Sequence, residues 1–90
     1  MNKKEKRFAV LLSIVDVGGS ASKKVVLDNI ESRQYINFSQ EDLEKNYNKR
    51  KEPQWWTKLA WARQDLVDEG YIDNAVIDQW RITEEGKQYL

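Results

Sequence analysis

Residues 55–70 read WWTKLAWARQDLVDEG, and their periodicity decides the fold of this 90-residue chain. With each residue advanced by about 100°, as in an α-helix, Trp55, Leu59, Ala62 and Leu66 fall in one sector. The opposite sector is mainly polar but also holds a tryptophan; its members are Gln54, Thr57, Trp61, Gln64 and Asp68. The pattern predicts an amphipathic helix with one buried face and one solvent face.

Both ends of this stretch favour a helix boundary. Pro53 lies where the helix would begin, a position at which a missing N–H is tolerated. Gly70 follows the last periodic turn and can close the helix in the left-handed conformation. The basic run of Lys49, Arg50 and Lys51 lies just upstream. The N-terminal end of the predicted helix is therefore preceded by a positively charged segment.

Composition indicates a small protein with a single core and no thiol or imidazole chemistry. Ninety residues with 40% hydrophobic content make one domain. Cysteine and histidine are both absent, which excludes disulfides and thiolate metal sites. The longest apolar run, residues 8–12, is too short to span a bilayer, and no signal peptide is recognisable. We expect a cytoplasmic protein with no membrane partner and no cofactor.

The formal net charge is zero, but the charges are segregated along the chain. Residues 45–63 carry six basic side chains against one acidic one, a local charge of +5. Residues 64–90 carry two basic side chains against seven carboxylates, a local charge of −5. The positive block coincides with the predicted amphipathic helix and its approach. A net charge of zero is therefore compatible with a nucleic-acid partner.

The sequence before this helix predicts further helices. Residues 3–17 form a helix whose apolar side chains cover more than half of its surface, as expected of a central packing element. Gly18 and Gly19 stop it, and Ser20 or Ser22 can cap a second helix that ends near residues 33–35. A third, short helix begins after residue 39, where a serine precedes two acidic residues.

After Gly70 the period changes from near 3.6 towards 2, which predicts a small hairpin. Its strands are residues 71–73 and 79–82, and Thr83 caps a final helix. The fold class is thus mainly α with a small β-hairpin, in the order of a winged helix-turn-helix. In that architecture the helix before the hairpin lies in the DNA major groove, and the hairpin is the wing.

Five short segments, in a fixed order, carry a more specific signal: VLDNI (26–30), SQEDL (39–43), WARQDL (61–66), EGYI (69–72) and WRITEEG (80–86). Together they resemble the N-terminal domain of the Mrr restriction-system proteins, a winged-helix module that precedes a nuclease domain. The resemblance implies that residues 1–90 bind DNA, often modified DNA, in the service of restriction. It also implies that the nuclease lies in another domain, and an end at Leu90 within a new helix suits the N-terminal part of a longer protein. Unlike the family pattern, the wing segment 74–78 is neither basic nor glycine-rich.

The predicted DNA-binding residues lie on the basic run and on the outer face of the helix at residues 54–69. They are Lys49, Arg50, Lys51, Gln54, Thr57, Lys58, Trp61 and Gln64. The basic members would neutralise phosphates, which dominate affinity without carrying sequence information. The helical members would address base edges, since glutamine pairs with adenine, lysine with guanine, and a threonine methyl contacts thymine.

Two helical side chains have alternative roles that the sequence leaves open. Trp61 can contact nucleic acid or a partner protein, or it can pack under the hairpin against Trp80. Arg63 lies beside the buried face and can pair with Asp28 or Glu31 instead of touching DNA.

The favoured function is double-stranded DNA binding that targets a restriction or defence nuclease. We expect no enzymatic activity, because the carboxylates are scattered without a catalytic constellation. The main alternative is a protein-interaction or dimerisation module that uses Trp61 and the acidic residues 65–85. A small transcriptional regulator with the same fold is a further alternative. The expected partners are accordingly double-stranded DNA and a nuclease domain, or a second copy of the chain.

Overall fold

The computed structural model describes residues 1–45 and 51–90. Within these ranges there are five helices and three short strands. In chain order they are α1 (Lys3–Asp16), β1 (Ser20–Ala21), α2 (Lys23–Arg33), α3 (Gln40–Leu43), α4 (Gln54–Asp68), β2 (Ile72–Asp73), β3 (Trp80–Ile82) and α5 (Glu84–Tyr89). The predicted class, mainly helical with a small β component, is confirmed.

The sheet is antiparallel and has the strand order β1-β3-β2. Ile72 faces Ile82 in the predicted hairpin, whereas Ser20 faces Arg81 on the other side of β3. The first strand was not predicted, because a strand of two residues is too short to show an alternating pattern. The arrangement of helices and sheet is compatible with a winged helix-turn-helix, in which β2 and β3 would form the wing.

The core lies where α1 packs against α2 and α4. All four side chains predicted to form the inner face of α4 are buried. Trp55 is the largest of them and stacks on Phe38, with 4.5 Å between the ring centroids. From α1, Leu11 and Ile14 are fully buried in the same cluster. The 3.6-residue period thus gave the orientation of α4 correctly.

Helix α4 ends in the predicted left-handed turn. Gly70 has φ +85° and donates its N–H to the carbonyl of Val67 at 3.1 Å. The N–H of Tyr71 donates to the carbonyl of Leu66 at 2.8 Å, which completes the pair of bonds that closes many helices. Pro53 directly precedes the first helical residue, so both predicted boundaries of α4 are confirmed.

A single threonine connects the end of α4 to the start of α5. The Thr83 hydroxyl accepts the N–H of Gly86 at 3.1 Å, so Thr83 caps α5 as predicted. The same hydroxyl donates to the carbonyl of Gly70 at 2.7 Å. The N–H of Thr83 also donates to the carbonyl of Tyr71 at 3.1 Å. The C-terminal end of α4, the base of the wing and α5 therefore share one hydrogen-bonded junction.

Candidate nucleic-acid interface

The outer face of α4 brings three of the predicted residues together. Thr57, Trp61 and Gln64 are all exposed, and Trp61 keeps 70% of its surface accessible. With Ala60 and with Lys23 from α2 they line a shallow hollow of about 330 Å³. An indole ring is therefore presented to solvent among polar and cationic neighbours.

The structure excludes one of the alternatives for Trp61, while its contact with nucleic acid or a partner protein stays a prediction. Trp80, its suggested packing partner, is only 6% exposed and lies in the core cluster. The guanidinium of Arg63 lies 5.9 Å from the centroid of the Trp80 ring. The packing of Trp61 under the hairpin is therefore wrong: its high exposure shows that it is not buried there, and Arg63 approaches Trp80 instead.

The suggested pairing of Arg63 with Asp28 is not observed either. Asp28 accepts a hydrogen bond from Lys24 at 2.5 Å, within the same helix. Arg63 makes a long hydrogen bond from Nη1 to Gln64 at 3.4 Å. Its Nε is buried and has no hydrogen-bond partner among the residues that the structure describes. Arg63 thus packs on an indole ring rather than in an ion pair.

Lys58 faces α3. Its ammonium donates to Asp42 Oδ1 at 2.7 Å and lies 3.7 Å from Glu41 Oε1. Asp42 is only 3% exposed and also completes a reciprocal capping box with Ser39. The Lys58 ammonium, together with the Ser39 hydrogen bonds, lowers the pKa of Asp42 to about 2. Lys58 therefore has a structural partner, and its predicted contact with phosphate stays a prediction.

This buried carboxylate gives a first testable prediction. Asp42→Asn is expected to lower the free energy of unfolding at pH 7 by about 1–2 kcal/mol, because it removes the charge that Lys58 and the cap stabilise. Since the pKa of Asp42 is depressed in the folded state, its stabilisation is present above the ordinary value of 3.8 and is lost as the pH falls through about 2. Urea unfolding of the variant and of the wild type from pH 7 to pH 2 measures the difference.

Glu41→Gln is the matched control, because Glu41 approaches the same ammonium but its side chain is 72% exposed. It is expected to change the stability by less than about 0.5 kcal/mol at any pH. A pH-independent difference between Asp42→Asn and the wild type would contradict the assigned role of the Asp42 charge.

The basic run upstream of α4 is only partly described. Lys51 is exposed, while Lys49 and Arg50 lie outside the described residues. Gln54 is half-buried at the start of α4, and its N–H donates to the carbonyl of Glu44 at 2.7 Å. The contacts of these residues with DNA stay predictions.

Sequence reasoning missed Lys23, the first residue of α2. Its ammonium lies 3.3 Å from Glu52 Oε2 and 5.7 Å from the centroid of the Trp56 ring. These contacts hold the N-terminus of α2 beside α4. The only sequence signal was a lysine directly after the cap Ser22, and charge counted along the chain does not show which helices are neighbours.

The model of the Mrr N-terminal domain matches residues 5–90. The chain belongs to the Mrr N-terminal domain family. This confirms the resemblance seen in the sequence and associates the domain with restriction systems, and so with defence. No curated protein and no solved structure gives a significant match.

In residues 1–45 and 51–90, no group of three or more acidic side chains is placed to hold a metal ion. None of the helices in these ranges is long and apolar enough to cross a membrane.

Proposed function

We propose that this Mrr N-terminal domain binds double-stranded DNA by placing the outer face of α4 in the major groove. The observation that supports this most is the 70% exposure of Trp61 at the centre of that face. A large indole ring directed into water is unfavourable for an isolated domain, and tryptophan is enriched where a partner covers it. The winged-helix order of elements suggests that this partner is DNA, because in such domains the helix before the wing lies in the major groove.

The side chains around Trp61 suit base edges. Thr57, Trp61 and Gln64 follow one another at helical spacings of four and three, so they form one row along α4. The major groove is about 12 Å wide and admits such a helix. Gln64 can pair with adenine and the Thr57 methyl can contact a thymine methyl. The Trp61 ring offers apolar surface to the same groove.

The distribution of charge favours entry by the N-terminal half of α4. Lys51 and Lys23 lie near this half, which also carries the positive end of the helix dipole. Asp65 and Asp68 lie on the C-terminal half and would be repelled by phosphates. We therefore place Thr57 and Trp61 deepest in the groove. In this proposal the domain targets DNA, and cleavage belongs to a separate nuclease domain or partner.

Fluorescence anisotropy of a labelled duplex at several salt concentrations tests DNA binding, with unmodified and methylated versions of one sequence. Lys51→Ala is expected to weaken binding to every duplex about equally, because it removes one phosphate contact. The slope of log affinity against log salt concentration, called the salt slope, should become less steep by about one. Lys87→Ala is the matched control: it removes the same charge from α5 and should leave the slope unchanged. A slope that is equal in both variants would remove Lys51 from the interface.

An alternative proposal is a protein contact. Its support is the wing, where Ile77 is 86% exposed and Val76 is 47% exposed. Apolar side chains at a wing tip are unusual for phosphate contact and more typical of protein interfaces. Sedimentation that shows a concentration-dependent mass, in the absence of any affinity for duplexes at low salt, would favour this function over DNA binding.

A further inference from the structure

A second cleft, of about 530 Å³, opens between the N-terminus of α2, one side of α4 and β3. Six of its lining residues are aromatic, cationic or amide side chains: Lys23, Lys24, Trp56, Arg63, Gln79 and Trp80. Clefts of about 300–1,000 Å³ with a few placed polar groups are typical of small-molecule sites. Of its lining residues, Lys23 alone also belongs to the proposed groove contact.

The cleft lies next to the hollow at Trp61. Lys23 lines both, and Trp56 and Arg63 of the cleft directly precede Thr57 and Gln64 of the hollow in α4. Both openings therefore belong to adjoining sides of one helix. A duplex held on the outer face of α4 would pass close to the mouth of the cleft.

The lining combines indole rings with hydrogen-bond donors. Each tryptophan has a cation near its ring, Lys23 at Trp56 and Arg63 at Trp80, both within 6 Å of the centroid. The buried Nε–H of Arg63 lacks an acceptor among the described residues, and a buried donor without a partner is unfavourable. The lining contains two carboxylates, Glu52 and Asp78, and Glu52 forms an ion pair with Lys23.

We infer that this cleft receives one nucleobase turned out of the duplex that α4 holds; the inference rests on the proposed function. A nucleobase has a flat π face for the indole side chains and ring acceptors for the guanidinium donor. A phosphate alone would use the cations of the lining but not the ring faces of its two tryptophans. The volume is sufficient for a base together with part of its sugar.

The test compares three duplexes of one sequence: fully paired, with one bulged adenine, and with one bulged abasic residue. The two bulged duplexes carry the same number of phosphates and differ only in the extrahelical base. The wild type is expected to bind the bulged adenine about tenfold more tightly than the abasic bulge, the gain typical of one stacked base. Equal affinity for both bulges, with normal binding of the paired duplex, would overturn the inference alone. Failure to bind any duplex would overturn the proposed function and this inference with it.

Two variants assign the preference to this cleft. Arg63→Lys keeps the charge but removes the Nε–H and the planar group over Trp80, and Trp56→Leu removes an indole. Each is expected to reduce the ratio of the affinity for the bulged adenine to that for the abasic bulge from about tenfold to about twofold or less. Arg33→Lys, the same exchange at an exposed position in the last turn of α2, should keep the ratio.

Because the ratio is measured within each variant, a general loss of affinity cancels, and circular dichroism checks that each variant is folded. Retention of the full ratio by both Arg63→Lys and Trp56→Leu would overturn the assignment of the base to this cleft.

Discussion

Trp61→Ala is expected to weaken binding to double-stranded DNA by about tenfold to thirtyfold, the effect typical of a tryptophan at the centre of an interface. The side chain is 70% exposed, so its truncation removes little packing within the domain. We therefore expect the free energy of unfolding to change by less than about 0.5 kcal/mol. Anisotropy titrations and urea unfolding of the same preparation measure the two effects.

The separation of these two effects distinguishes a binding residue from a structural one. The DNA affinity of Trp61→Phe is expected to lie between those of Trp61→Ala and the wild type, because a smaller ring retains part of the apolar contact. Ile77→Ala is the matched control: it truncates another exposed apolar side chain, on the wing. If Trp61→Ala destabilised the fold and left DNA affinity unchanged, the groove assignment would be wrong.

Gly86→Ala is expected to lower the free energy of unfolding by about 3 kcal/mol, at the upper end of the usual range for overpacking. A Cβ at this position would lie 2.3 Å from the carbonyl oxygen of Tyr71 and 2.7 Å from Cγ1 of Ile82. The first of these atoms belongs to the backbone and cannot rotate away. Helix propensity alone predicts the opposite sign, since alanine is favoured over glycine in a helix by about 1 kcal/mol.

Urea unfolding followed by circular dichroism measures this change. Gln88→Ala, at an exposed position in the same helix, is the control for propensity and should be neutral or slightly stabilising. An equally stable Gly86→Ala variant would mean that α5 does not pack as closely on the wing as these distances require. The prediction concerns stability only, so it is independent of any DNA affinity.

Local patterns in the sequence gave the elements of this fold, because they depend on residues close in the chain. The inner face of α4 follows from a 3.6-residue period, and the caps Ser39 and Thr83 each act on an amide three residues ahead. The short strand β1 was missed because its pairing partner β3 lies about sixty residues away. No local pattern encodes that partner.

The candidate site was predictable to a smaller extent for the same reason. A helical wheel gives the sector of a side chain but not what lies opposite. Lys58 was correctly placed on α4, yet its partner Asp42 comes from another helix. Lys23 belongs to a different helix, α2, and reaches the site by its contact with Trp56. Arg63 was correctly placed beside the buried face of α4, but it packs on Trp80 of the wing. Tertiary packing determined all three contacts.

The Thr83 junction has a consequence for the dynamics of the DNA-facing helix. One hydroxyl caps α5 and holds the carbonyl of Gly70, and the Thr83 amide is bonded to Tyr71. The last turn of α4 cannot fray without breaking bonds that also hold the wing and α5. These three elements should therefore open as one cooperative unit in native-state hydrogen exchange, with a common opening free energy. The end of α4 is thus kept rigid by a segment that the proposed groove contact does not involve.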